Sequence, residues 1–180
     1  MHRVVIVGPT SAPWAEIAES IEDDLSHLRR PGLEVVYVTT GAGPRSIRSH
    51  EDEVAAIPHV VDAVRRIADS CDAVVVDCTG DPGVAEARLI VGIPVVGAGE
   101  AVRRAAEGAP EPVRFVSGEE LRAADFAELQ RFVDGAATVV VGATGQRKVV
   151  EGLRARGDIM VIEPLEAAIN QCAELLSCAE

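Results

Sequence analysis

The chain has 180 residues, of which 48% are hydrophobic and 3% aromatic, and its formal net charge is −12. This length fits one domain or two very small ones, and the apolar fraction excludes an intrinsically disordered chain. The negative charge and the scarcity of aromatic side chains argue against a nucleic-acid-binding protein. No apolar run approaches the roughly 20 residues of a membrane span, and the N-terminal apolar run is too short for a signal peptide, so we expect a cytoplasmic protein.

Short runs of β-branched residues alternate along the chain with segments whose apolar residues recur at helical spacing. We predict seven strands, at residues 3–8, 33–40, 73–77, 94–98, 113–117, 138–141 and 158–162. Helices are expected between them, including one continuous helix over 119–133 and a closing helix over 165–176. Asp81 is predicted to cap the helix after the third strand, with Pro82 at its first position. Alternation of this kind indicates an α/β fold with parallel sheets flanked by helices.

A stretch rich in glycine and proline at residues 108–112 is the expected boundary between two lobes, at 1–108 and 109–180. The sequence VVVDCTG at 74–80 is repeated as VVVGATG at 139–145, which indicates an internal duplication. Two similar lobes would place Cys78 and Ala143 at equivalent strand ends. Because ligands bind where parallel strands end, we expect a ligand cleft between the lobes, with these two residues on opposite walls.

Cys78 is predicted to lie between a strand end and the start of a helix. Backbone N–H groups and the helix dipole there would lower its pKa and favour a thiolate, which can act as a base or as a nucleophile. A small buried hydrophobe is an equally valid interpretation of this cysteine. Cys172 shares a helix face with apolar residues and is expected in the core. Cys71 and Cys178 are interpreted as structural and incidental, respectively.

No cofactor is expected. The cysteines form no CxxC pair and the histidines show no metal-ligand spacing. The glycine-containing segments at 41–46 and 142–148 lack residues that nucleotide-binding loops require. His50 is the one histidine predicted near the cleft. The backbone amides of residues 79–80 and 144–145 are candidates to hold a carboxylate or enolate oxygen.

The block VVVDCTGDPG at 74–83, followed by IPVVGAGEA at 93–101, resembles the hydantoin racemase branch of the aspartate/glutamate/hydantoin racemase superfamily. Residues 9–11, 43–53, 139–145 and 163–168 are similar to the same branch. The resemblance implies a cofactor-independent enzyme whose two lobes close over a carbon acid, between two cysteines that remove and return a proton. Cys78 falls on the first cysteine position and Ala143 on the second. The resemblance also implies a second lobe that is shortened by one helix and one strand, which makes a homo-oligomer plausible.

With Cys78 retained opposite Ala143, we expect a single cysteine that protonates or deprotonates one face of a carbanion. This chemistry suits an isomerase or epimerase, or a lyase such as a decarboxylase, eliminating enzyme or cyclase. Two alternatives remain open: a non-catalytic ligand-binding paralogue, and covalent attack by Cys78. The expected partner is a small-molecule carboxylate or cyclic carbonyl compound, with no nucleic acid and no membrane. The residues expected to line the pocket are Thr10, Ser11, Ser46, His50, Thr79, Gly80, Ala143, Thr144 and Gly145.

Three acidic residues near these segments are assigned other roles. Asp77 should point away from Cys78, because neighbouring residues of a strand face opposite sides of the sheet. Glu100 and Glu166 are expected to cap their helices.

Overall fold

Two separate parallel sheets organise the chain, in a computed structural model that describes residues 1–178. The first sheet has the strand order β2-β1-β3-β4 and the second the order β5-β6-β7, and every pairing is parallel. The strands are β1 (His2–Gly8), β2 (Leu33–Thr39), β3 (Ala73–Val76), β4 (Val95–Gly97), β5 (Val113–Ser117), β6 (Thr138–Gly142) and β7 (Met160–Ile162). The predicted α/β class with two parallel sheets is confirmed.

Helices connect successive strands. They are α1 (Trp14–Ser26), α2 (His50–Ile67), α3 (Val84–Arg88), α4 (Ala98–Ala106), α5 (Gly118–Ala123), α6 (Phe126–Phe132), α7 (Arg147–Arg154) and α8 (Pro164–Ser177). The start of α2 is fixed by a capping box, in which Ser49 accepts from the Asp52 N–H and Asp52 accepts from the Ser49 N–H. Within residues 1–178, no helix has both the length and the apolar character that crossing a bilayer requires.

The core of the first lobe explains the valine-rich strands. Val75 packs with Val4 and Ile6 on one face of the sheet, whereas Val74 and Val76 pack on the other. Both faces are therefore buried, as is usual for parallel sheets covered by helices.

The predicted helix over 119–133 is wrong, because the segment forms two helices, α5 and α6. The break falls at Ala124, whose backbone is extended. Asp125 then starts α6 with a capping box, since its carboxylate accepts from the Glu128 N–H at 2.8 Å and its own N–H donates to Glu128 at 3.1 Å. This local capping outweighs the helical spacing of the apolar residues.

The predicted cap at Asp81 is also wrong. Asp81 has a positive φ of 54°, and α3 begins only at Val84, after Gly83 with a φ of 74°. The Asp81 carboxylate instead accepts from the Gly99 N–H at 2.7 Å and pairs with Arg103 at 2.8 Å. Asp81 thus ties the turn after β3 to the first turn of α4.

The expected second lobe needs a correction at its C-terminal end. Helix α8 packs against the first sheet, where its apolar side chains share a core with Val4, Ile6 and Val75. The buried residues of α8 are Pro164, Leu165, Ala168, Ile169, Cys172 and Leu176. Because these side chains cover the same face of the first sheet as Leu25 of α1, residues 164–177 belong with the first lobe in packing. Cys172 lies in the core, as predicted.

This packing makes a testable prediction about α8. Ile169 is 0% exposed, whereas Leu175 on the same helix is 40% exposed. Replacing Ile169 with Ala removes buried methyl groups and leaves a cavity, so we expect a loss of about 2–5 kcal/mol in the free energy of unfolding. Leu175→Ala is the matched control, with a loss below about 1 kcal/mol. Urea unfolding monitored by circular dichroism measures both, and equal losses would contradict the packing described here.

Candidate active site

A cleft with a cavity volume of about 730 Å³ opens at the carboxyl ends of the strands, with residues of both lobes in its walls. The loops after β1, β2, β3 and β6 line it, together with the starts of α2 and α5. Seven of the residues predicted from sequence lie in its walls: Thr10, Ser46, His50, Cys78, Thr79, Ala143 and Thr144. Cys78 and Ala143 therefore line one cavity.

Ser11, Gly80 and Gly145 were predicted to line the cleft and do not. The Ser11 hydroxyl donates to the Gly43 carbonyl at 3.0 Å, which ties two loops together. Gly80 lies beneath the carboxylate of Glu53, which a side chain at position 80 would overlap. Gly145 lines a separate pocket beside α1 and has a φ of 70°, which favours glycine there.

Cys78 is held in a tight turn directly after β3. Its N–H donates to the Val76 carbonyl at 3.0 Å, and its carbonyl accepts from the Asp81 N–H at 3.0 Å. Burial raises the pKa of the thiol to about 11, against a lowering contribution from the Gly80 N–H. The carboxylates of Asp77, Glu53 and Asp81 raise it further.

The expectation of a lowered thiol pKa is therefore wrong. The helix that was to supply the favourable dipole has only five residues, and it starts at Val84, six residues after Cys78. Burial and three nearby carboxylates outweigh the one backbone donor. A pKa of about 11 favours the protonated thiol of Cys78 at neutral pH.

Asp77 does not point away from the cleft, contrary to the alternation rule. The strand ends at Val76, so both Asp77 and Cys78 lie beyond the regular pleat and line the cavity. The Tyr37 hydroxyl donates to Oδ2 of Asp77 at 2.7 Å, while Oδ1 is buried with no hydrogen-bond partner. Burial raises the pKa of Asp77, and the hydrogen bond from Tyr37 lowers it.

Tyr37 is a cleft residue that sequence reasoning missed. It is the single tyrosine of the chain, and it pairs with Ile6 in the parallel ladder between β2 and β1. A side chain on Gly8 would overlap the Tyr37 ring and hydroxyl. The glycine at the end of β1 was the available signal, because a missing side chain at a strand end indicates close approach of another group.

The second lobe supplies the opposite wall of the cleft, including residues of α5 that the sequence did not indicate. Gly118, Glu119 and Arg122 line it alongside Ala143. The Thr79 hydroxyl donates to the Gly142 carbonyl at 3.1 Å and links the two walls directly. Other residues that were not predicted lie at the first-lobe side of the cleft: Arg45, Arg48, Ser49 and Glu53.

Two buried carboxyls lie beside a small second cavity, of about 60 Å³, between α1, α7 and α8. Asp24 is 7% exposed and Glu163 is 5% exposed. Burial raises the pKa of Asp24 to about 6 and that of Glu163 to about 7. Arg147 of α7 pairs with Asp23 of α1 at 2.9 Å and so joins the lobes next to this cavity.

Glu100 and Glu166 were both predicted to cap their helices, and only Glu100 does so. Glu100 accepts from the Gly97 N–H at 3.2 Å and caps α4, as expected. Glu166 instead pairs with Arg154. Glu163 caps α8, because its carboxylate accepts from the N–H groups of Leu165 at 3.1 Å and Glu166 at 2.7 Å. Within residues 1–178, no group of three or more His, Cys, Asp or Glu side chains is placed to hold a metal ion.

The model of the family described as Asp/Glu/Hydantoin racemase matches residues 4–128 of this chain. The chain belongs to this family. Over 99 residues, or 54% of its length, it is 31% identical to the hydantoin racemase of Pseudomonas sp. (strain NS671). That match covers 39% of the length of the relative.

Solved structures show the same fold over nearly the whole chain. The allantoin racemase from Klebsiella pneumoniae has a TM-score of 0.83 at 21% identity, over 99% of this chain and 89% of that one. Arylmalonate decarboxylase has a TM-score of 0.60 at 14% identity, over 96% of this chain and 92% of that one. The fold with two parallel sheets flanked by helices is thus shared with these two enzymes.

The raised pKa of Cys78 can be measured through its reactivity. We expect the rate of alkylation by iodoacetamide at Cys78 to keep rising with pH up to about 11, because only the thiolate reacts. Glu53→Gln removes one nearby negative charge and should lower that pKa. Mass spectrometry resolves Cys78 from the exposed Cys178, which reports the activity of the reagent. A rate that reaches its plateau below pH 8 would contradict the neutral thiol.

The buried Glu163 makes the stability of the protein depend on pH. Its pKa is raised to about 7 from an ordinary value of 4.5, so the folded state holds its proton more tightly than the unfolded state. The stability contributed at low pH is then lost as pH rises from 4.5 to 7, by on the order of 3 kcal/mol. Glu163→Gln should flatten this decline in urea titrations across that range. The control is the exposed Glu174→Gln, and parallel curves for Glu163→Gln and the wild type would contradict the assignment.

Proposed function

We propose that this protein is a cofactor-independent enzyme that transfers a proton at an activated carbon, with Cys78 as its single acid/base. The observation that carries the proposal is the presence of Cys78 and Ala143 in the walls of one cleft. A thiol at the end of β3 can exchange a proton with a bound carbon acid. The methyl group of Ala143 has no proton to give. Proton transfer in this cleft is therefore one-sided.

The neutral state of Cys78 sets the direction of its first step. A protonated thiol donates to a carbanion or enolate, so the S–H bond breaks as a C–H bond forms and a thiolate remains. The thiolate then takes a proton from the next substrate or from water. In a lyase, loss of another group generates the carbanion that the thiol protonates. In an isomerase, the thiolate first takes the proton from the substrate carbon, and the resulting thiol then returns a proton to the carbanion.

The polar groups around the cleft have proposed roles that follow from their positions. Thr10, Ser46, His50, Thr79 and Thr144 contact the ligand. Of the remaining predicted residues, Ser11 and Gly145 shape the loops that carry these contacts, and the N–H of Gly80 faces the Cys78 sulfur. The ligand is a small-molecule carboxylate or a cyclic carbonyl compound. The names of the relatives, which include a hydantoin racemase and an allantoin racemase, support the cyclic carbonyl class.

We also propose that the protein is cytoplasmic and forms a homo-oligomer. Large apolar side chains of the second lobe are exposed to solvent, and a second copy would cover them. They are Phe115, Phe126, Phe132 and Met160.

A non-catalytic binding protein is the second candidate. It is favoured by the absence of a second thiol at Ala143 and by the burial that keeps Cys78 neutral. Covalent attack by Cys78 is disfavoured by the same burial, because the nucleophile is the thiolate.

Solvent deuterium uptake separates these functions. Carbon acids such as 5-substituted hydantoins and 2-substituted malonates are incubated with the protein in D₂O and followed by NMR. We expect catalysed incorporation or turnover by the wild type and a loss of about 10²–10⁴-fold in Cys78→Ala, which is the usual contribution of an acid/base group. Cys71→Ala, which lies outside the cleft, is the matched control.

Full activity in Cys78→Ala would contradict the enzyme proposal. Tight binding of a compound without any catalysed deuterium uptake or turnover would replace it with the binding protein.

A further inference from the structure

A guanidinium lies on the wall of the cleft beside Ala143. Arg122 of α5 lines the cavity. The sequence did not indicate that α5 lies beside the cleft. A Cβ built on Gly118 would be 3.3 Å from the Cβ of Ala143 and 3.3 Å from Nη1 of Arg122. The guanidinium and the Ala143 methyl are thus neighbours, on the side of the cleft where a second proton donor is missing.

Gly118 keeps this space open. Its backbone is not among those with a positive φ, so the conformation there does not require glycine. The missing side chain matters because any Cβ would press on both Arg122 and Ala143. Glycine at this position therefore lets the guanidinium fold back against the cleft wall.

Arg122 has no partner within the part of the chain that the structure describes. No carboxylate of residues 1–178 lies within ion-pair distance of it, and no hydrogen bond engages it. Three other arginines around the cleft and the lobe interface are paired: Arg45 with Glu16, Arg103 with Asp81 and Arg147 with Asp23. The side chain of Arg48, on the first-lobe side of the cleft, also has no ion pair within residues 1–178. In a chain of net charge −12, a cation left unpaired in a cleft is available to an anionic ligand.

We propose that Arg122 binds a carboxylate of the substrate on the Ala143 side of the cleft, while Cys78 faces the reacting carbon from the other wall. This inference rests on the proposed function and names its substrate class. The substrate is a carbon acid with a carboxylate attached to the reacting carbon. When that carbon becomes a carbanion, charge moves onto the carboxylate oxygens, and a guanidinium opposite them binds the charged intermediate more strongly than the ground state.

The contact between Arg122 and the substrate carboxylate determines which group stays attached to the substrate during the reaction. A carboxylate paired with a guanidinium is stabilised as an anion, whereas its loss as CO₂ would produce a neutral molecule that Arg122 does not bind. The carboxylate held by Arg122 therefore stays attached through the reaction. The chemistry is a rearrangement, or the loss of a different group.

Charge selectivity at Cys78 tests this placement without any substrate. Iodoacetate and iodoacetamide alkylate the same thiolate with loss of iodide, and they differ by one negative charge. The probe is the ratio of their rates at Cys78, divided by the same ratio at the exposed Cys178 of the same sample. We expect Arg122→Gln to lower this normalised ratio about tenfold, which is the scale of one charge-assisted hydrogen bond.

Matched variants sharpen the result. Glu119→Gln removes a negative charge from the same wall and should keep or raise the ratio. Arg122→Lys keeps the charge without the planar fork and should retain part of it. An unchanged iodoacetamide rate at Cys78 shows that the cleft is intact in each variant.

The proposal is overturned if Arg122→Gln leaves the normalised ratio unchanged, or if Glu119→Gln lowers it as much. Alkylation needs no turnover, so the result is independent of the deuterium experiment. An Arg122-dependent ratio without deuterium uptake would leave an anion-binding cleft and remove the catalytic proposal. Deuterium uptake without an Arg122-dependent ratio would support the catalytic proposal and overturn the binding of a carboxylate by Arg122.

Discussion

The burial of α8 against the first sheet fixes how the two lobes face each other. Strand β7 ends at Ile162 and α8 begins at Pro164, so almost no chain separates the second sheet from a helix that is packed into the first lobe. The second sheet is thereby anchored beside the carboxyl ends of the first. The Thr79 hydroxyl, bonded to the Gly142 carbonyl, completes the connection at the cleft itself. A cavity lined by both lobes follows from this return of the chain.

The two walls of the cleft differ in the charged groups that they present. The first-lobe wall buries Cys78 beside Asp77 and near Glu53, which keeps the thiol protonated. The second-lobe wall has a methyl group at Ala143 and an unpaired guanidinium at Arg122. In the proposed reaction, the first-lobe wall gives a proton and the second-lobe wall holds an anion. Such a division of tasks differs from the two cysteines on opposite walls that the resemblance implied, because Ala143 stands at the second position.

Much of this arrangement could be predicted from sequence, for physical reasons. Valine runs buried on both faces specify parallel strands, and the repeated strand ends brought Cys78 and Ala143 to one cleft. Long-range packing and local capping could not be derived in this way. The return of α8 to the first sheet depends on shape complementarity across the molecule, and Asp125 interrupts a helix whose apolar spacing continues through it. The pKa of Cys78 depends on burial and on carboxylates that meet only in the folded chain.

The stereochemistry of deuterium exchange distinguishes proton transfer on one face of the substrate from proton transfer on both faces. One enantiomer of a 5-substituted hydantoin, whose acidic ring carbon is its single stereocentre, is incubated in D₂O at neutral pH, and the exchange is corrected for the spontaneous rate. On this account, deuterium enters with retention of configuration, and optical rotation is lost far more slowly than label is gained. Ala143→Cys, which restores a second thiol, should add racemisation. Loss of rotation as fast as deuterium uptake in the wild type would contradict the one-sided mechanism.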